Sequence, residues 1–184
     1  MKRTRWIVMI TMLVGLALLI SGSVVKAAVT PFGRNRWPRA RVTYVIRGSA
    51  YDRRVFQTAI AAWNATGKFR FVAGSNANHQ VTLMTSRAMT GLYYRLAGIT
   101  FTTSPKAGYF SRARVLLLTR NLTKYHYSYW DQVHVAEHEL GHVMGLNHSR
   151  APLSVMRADN RYNGISHGDQ TAVKLRYQLP VGER

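Results

Sequence analysis

Apolar and polar positions alternate from Arg41 to Arg47, with Val42, Tyr44 and Ile46 on one side and Thr43 and Val45 on the other, the period-two signature of a strand. The period then lengthens. Ser49 and Asp52 stand in capping-box spacing ahead of Val55, Phe56, Ala59, Ile60 and Trp63, which share one helical face, and residues 64–67 end the run. Four short β-branched or aromatic runs follow at residues 69–73, 81–85, 98–102 and 115–119, separated by Gly, Pro, Asn and Ser. Leu116, Leu117 and Leu118 in a row fit a strand buried on both faces, although periodicity alone leaves a helix fragment open. A second helix is expected from Ser128, with Asp131 three residues on, to about Met144, where Gly145 stops it. A third opens on Ser166 and Asp169 and runs to near Gln178. The pattern predicts an α+β (mixed α/β) domain, a twisted sheet of about five strands against long helices.

The first 27 residues break this pattern. Lys2, Arg3 and Arg5 precede an apolar run over residues 6–20, and Val25 and Ala27 take the minus-three and minus-one places of a cleavage site. Residues 1–27 therefore read as a signal peptide and the chain as secreted or held at the cell surface. An uncleaved membrane anchor is the alternative, but a 15-residue helix spans only about 22 Å against a hydrocarbon core of about 30 Å. No repeat, linker or low-complexity tract divides residues 28–184, which are expected to form one domain.

Composition narrows the chemistry. The 184 residues hold 26 Lys+Arg against 7 Asp+Glu, a formal charge of +19, and losing Lys2, Arg3, Arg5 and Lys26 with the leader lowers it to +15. At 47% hydrophobic residues the chain is no disordered tail. With no cysteine there is no disulfide framework, thiolate site, Cys nucleophile or thiol-based latency, so a bound metal must be held by His, Asp or Glu. An elaborate calcium protein is hard to build from so few carboxylates, since each ion takes about 6–8 oxygen ligands.

The strongest signal is His138-Glu139-Leu140-Gly141-His142-Val143-Met144-Gly145-Leu146-Asn147-His148. On a helix His138 and His142 lie one turn apart on one face and can grip a single ion, while Glu139 stands beside the first ligand without being one. Gly145 permits the sharp bend that returns the chain, so that His148 completes a three-His face. Three neutral imidazoles with an open fourth position are the arrangement of catalytic zinc. Glu139 argues against a site that only binds metal, because binding needs the histidines and not the glutamate. His79, His126 and His167 lack ligand spacing. His134 and Glu137, which points away from the Glu139 direction, are expected to be solvated.

The extended motif resembles the metzincin zinc metallopeptidases, and most closely their matrixin branch, in a secreted bacterial-style form without a cysteine switch. Ser149 directly follows the third His, Leu153-Ser154-Val155-Met156 supplies a methionine at Met-turn distance, and the closing helix is similar to that of matrixin catalytic domains, with Asp169 and Tyr177 in matching places. Met156 would also suit an ordinary core. The resemblance implies a metzincin fold: a five-stranded twisted sheet, two long helices, an active-site helix, a Met-turn and a C-terminal helix. It implies a zinc endopeptidase with His138, His142 and His148 on one catalytic zinc and Glu139 as general base toward a protein or peptide substrate. The strand around residues 97–102 would form the upper cleft rim, and residues 157–164 the outer wall of a side-chain pocket; no substrate-binding residue is singled out.

Departures from the family qualify this. Residues 53–130 contain no Asp or Glu, so structural zinc and calcium are not expected, and Ala158, two residues past Met156, excludes the tyrosine ligand of astacins and serralysins. The rival function is an exported basic binding protein for an anionic wall polymer or nucleic acid, with a degenerate metal site. The arginines are scattered along the chain and no nucleic-acid module is recognisable, so the charge reads as a cell-surface adaptation of a monomeric enzyme, with anionic surface polymers as secondary partners.

Overall fold

The computed structural model describes residues 28–105 and 108–183; the expected signal segment lies outside them. Among the described residues no helix is long and apolar enough to cross a membrane. Strand β1 (Arg41–Arg47) leads into helix α1 (Ala50–Ala65), followed by β2 (Arg70–Ala73), β3 (Val81–Ser86), β4 (Gly98–Thr103) and β5 (Arg112–Leu118). Helix α2 (Thr119–Lys124), helix α3 (Tyr129–Val143) and helix α4 (His167–Gln178) complete the chain. The strands form one sheet in the order β2-β1-β3-β5-β4, parallel except for β4, which runs antiparallel to β5 at the edge. This is the expected mixed α/β architecture.

Local chemistry explains the helices. Ser49, Ser128 and Ser166 each accept a bond from the backbone N–H three residues on, and the carboxylates of Asp52, Asp131 and Asp169 each accept one from the cap residue's N–H, so all three long helices start on a complete capping box. The largest departure from the expected boundaries is at β5 and the helix after it. Strand β5 begins at Arg112 rather than residue 115, and Thr119 opens α2 instead of ending the strand. The apolar run begins only at Val115, which hides the first turn of alternation, and α2 has no side-chain N-cap to announce it.

The register assigns residues to faces. Tyr44, Val81, Ala113 and Thr102 stand in one cross-strand row, and Ile46, Leu83, Val115 and Thr100 in the next, so these side chains share the face that packs against α1 and α3. Trp63 on α1 donates its indole N–H to the Glu137 carbonyl at 2.8 Å, and Trp37 donates to Val143 at 2.8 Å, holding α3 at two heights. Helix α3 is thereby enclosed on nearly every side, and ten of its residues are buried.

Candidate active site

The terminus of α3 and the chain after it assemble the three histidines. Gly145 adopts φ +98, a left-handed turn that a Cβ would resist and would drive to 2.8 Å from the Asn35 carbonyl. The next residues pair with the N-terminal segment: Gly33 N–H donates to Gly145, Asn147 N–H donates to Pro31, each at 2.8 Å, and Phe32 bridges Leu146. His148 is thus carried back beside the helix. One ring nitrogen each from His138, His142 and His148 falls within a 4.8 Å cluster.

Hydrogen bonds set the tautomers. His138 Nδ1 lies 2.8 Å from the Val155 carbonyl and His142 Nδ1 2.9 Å from the Leu146 carbonyl; a carbonyl only accepts, so each Nδ1 carries the proton and each Nε2 keeps a lone pair. Those two Nε2 atoms face each other at 3.1 Å. Burial, with the other imidazoles adding to it, holds His138 down to about 3; burial holds His142 down to about 4, so both are neutral at pH 7. Two facing lone pairs repel unless a cation lies between them. Two ligands about 2.0–2.1 Å from a tetrahedral zinc stand about 3.3 Å apart, so the donor set fits that ion, and the Nδ1–H donation is the usual outer partner of a ligating histidine.

The surroundings serve the same centre. Glu139 is 5% exposed, and burial pushes its carboxyl up to about 7 against a hydrogen bond from the Thr100 hydroxyl, which donates to Oε2 at 2.7 Å and also reaches the Glu139 carbonyl at 3.0 Å. A Cβ on Gly98 would sit 2.7 Å from Glu139 Oε1, so β4 approaches the carboxyl closely only because that position is bare. Met156 is fully buried under α3, its sulfur where a Cβ on Gly141 would come within 2.2 Å. Asp169 carries the turn holding Met156: it accepts from Ser154 Oγ (2.5 Å), Val155 N–H (3.0 Å), Ser166 N–H and Oγ, and the buried Thr30 hydroxyl. Above the histidines opens a cleft of about 610 Å³, bounded by Ile99, Thr100 and Thr102 on β4 and by Gly33, Arg34 and Asn35.

A model of the matrixin family matches residues 36–177. The chain is a matrixin. The match makes it a metallopeptidase of a zinc-dependent family, and no curated protein matches it. In this matrixin the residues expected at the centre, His138, Glu139, His142, His148 and Met156, lie together. Two others depart from expectation: Glu137 is 5% exposed instead of solvated, and His134 is half-buried with Nδ1 3.3 Å from the Arg161 carbonyl. The cause is the enclosure of α3, whose side opposite Glu139 is covered by the loop through Gly164. Burial raises Glu137 to about 7. Thr100 and the segment through Gly33 were not foreseen; Thr100 is one of three threonines on β4, and nothing local sets it apart.

Proposed function

We propose that this matrixin is a secreted endopeptidase that holds one catalytic zinc on His138, His142 and His148 and uses Glu139 as its general base. The observation that carries the reading is the pair of lone-pair nitrogens 3.1 Å apart, whose rings have already committed their protons to carbonyls. Zinc bound there supplies the Lewis acidity that activates a water and polarises the scissile carbonyl.

The protein's own groups do the rest. Strand β4 is an edge strand beside the cleft, and its free side offers backbone groups to an extended peptide by β-augmentation. Thr100 pins Glu139 Oε2 and leaves Oε1 for the reaction. Burial raises the proton affinity of the Glu139 carboxyl, which favours its accepting a proton from the attacking water and handing it on to the leaving amine. Val155 and Leu146 keep the two imidazoles in the tautomer that directs Nε2 inward. Export rests on residues 1–27, read as a cleaved signal peptide. The absence of carboxylates from 53–130 supports a site without accessory structural zinc or calcium. Nothing in the family match favours the rival binding protein with a degenerate site.

Metal analysis and cleavage of an unstructured protein substrate test this together. The purified protein is expected to hold about one equivalent of zinc, to lose activity with a chelator and to regain it with zinc. Glu139→Gln is expected to keep its zinc while kcat falls roughly 10²–10⁴-fold. Thr100→Val is expected to lower kcat about tenfold with KM little changed, and Thr100→Ser to restore it. Cleavage that survives chelation, or full activity in Glu139→Gln, would sink the mechanism.

A further inference from the structure

The arginines that look scattered along the sequence are gathered by the sheet. Residues of β1, β2, β3 and β5 that point away from α1 and α3 form an outer face, and there Arg41, Arg47, Arg70, Arg112 and Arg114 are all exposed. No Asp or Glu lies on these strands, and among the described residues the ion pairs are Arg157 with Asp159 and Arg161 with Asp131, both elsewhere. Arg41 and Arg70 are direct cross-strand partners, an arrangement that costs stability when like charges meet. Strands about 4.8 Å apart and residues about 3.3 Å apart put the backbone positions of the five arginines within a patch of roughly 15 by 20 Å.

The patch has relief as well as charge. A shallow groove of about 250 Å³ is lined by Gln80, Thr82, Phe101, Thr103, Arg112 and Arg114, and a second of about 230 Å³ by Arg39, Arg41, Thr43 and Gln80. Gln80 lines both, so the two grooves lie side by side on this face.

We infer that this outer face docks a linear polyol-phosphate polymer, a chain of phosphodiesters without bases. Guanidinium groups suit phosphate because their forked donors match its oxygens. Single-stranded nucleic acid would call for a row of stacking rings; this face offers Phe101, already covered by Arg114 at 5.1 Å. A membrane surface would call for apolar side chains, and the exposed large ones, Leu92, Trp130, Leu153 and Tyr162 among them, lie off these strands. The surface requires neither the metal nor the peptidase reaction, and would concentrate the enzyme on a phosphate-rich wall.

Fluorescence anisotropy of a labelled poly(glycerol phosphate), titrated with the protein in the presence of a chelator and between 50 and 300 mM salt, tests it. Contact with about five phosphates gives a slope of log affinity against log salt near −3.5, by analogy with single strands. Arg112→Gln/Arg114→Gln is expected to weaken binding roughly 10–30-fold and flatten the slope by about 1.4, while Arg112→Lys/Arg114→Lys keeps the slope. Arg54→Gln/Lys174→Gln, which removes equal charge from helices α1 and α4, is expected to change affinity by less than about threefold; unchanged thermal unfolding verifies that every variant folds. Equal losses from the two Gln pairs, no binding to the polymer, or tighter binding to oligo-dT or to anionic vesicles would each overturn the assignment.

Discussion

Six of the seven carboxylates lie at or after Asp131, whereas the outer face of the sheet carries five arginines and none. In the C-terminal region Asp131, Glu137, Glu139 and Asp169 are buried and Asp159 is ion-paired. On the sheet the charges are exposed and unpaired. The same type of group, an ionised side chain, is used for opposite purposes. Where burial makes charge costly, Asp131 and Asp169 cap helices, Asp169 also holds a turn, Glu139 stands beside the three histidines, and Glu137 alone lacks a partner for its buried Oε2. Where water screens it, charge accumulates and is open to a partner.

The contrast breaks most severely at Asp169, which joins the N-terminal segment, the Met-turn and the α4 cap through five hydrogen bonds. Asp169→Asn turns an acceptor into a partial donor among groups that all donate, and is expected to cost about 3 kcal/mol in urea unfolding of the metal-free protein. Glu137 is next, because its buried Oε2 has no partner. Its folded pKa is raised from 4.5 to about 7, so the stability its protonated form contributes is present below pH 4.5 and is lost as pH rises through 7. Glu137→Gln is accordingly expected to stabilise the fold at pH 8 by about 2 kcal/mol and to gain little at pH 4, as read from thermal unfolding at both values. Smallest is the effect on the outer face: Arg70→Thr relieves its repulsion with Arg41 and is expected to add about 0.5 kcal/mol at low salt, a gain that vanishes as salt screens the pair. A large loss there would show the arginines to be part of the framework, and would erase the contrast.

What could be read from the sequence was whatever is encoded within a few residues. Serine and aspartate three apart announce all three long helices, and the spacing of the histidines announces the cluster of imidazoles. The remainder depends on contacts between distant segments. Glu137 lies on the far side of α3 from Glu139 and would be solvated on an isolated helix, but the loop through Gly164 closes over it. Thr100 is one threonine in a row of several until β4 is laid against α3. The arginine face exists only once β1, β2, β3 and β5 are paired in register, since Arg41 and Arg114 are 73 residues apart in the chain.

Gly141 has a further consequence, for the order of assembly. It sits in the last turn of α3, where the Met156 sulfur leaves no room for a side chain, and glycine there forgoes the helix propensity an alanine would bring. The last turn of the segment holding His138 and His142 is backed by the turn through Met156, which closes beneath it from later in the chain. For the zinc centre proposed above, His138 is oriented by the Val155 carbonyl of that later turn, so metal capture is expected to follow the closure of residues 149–169.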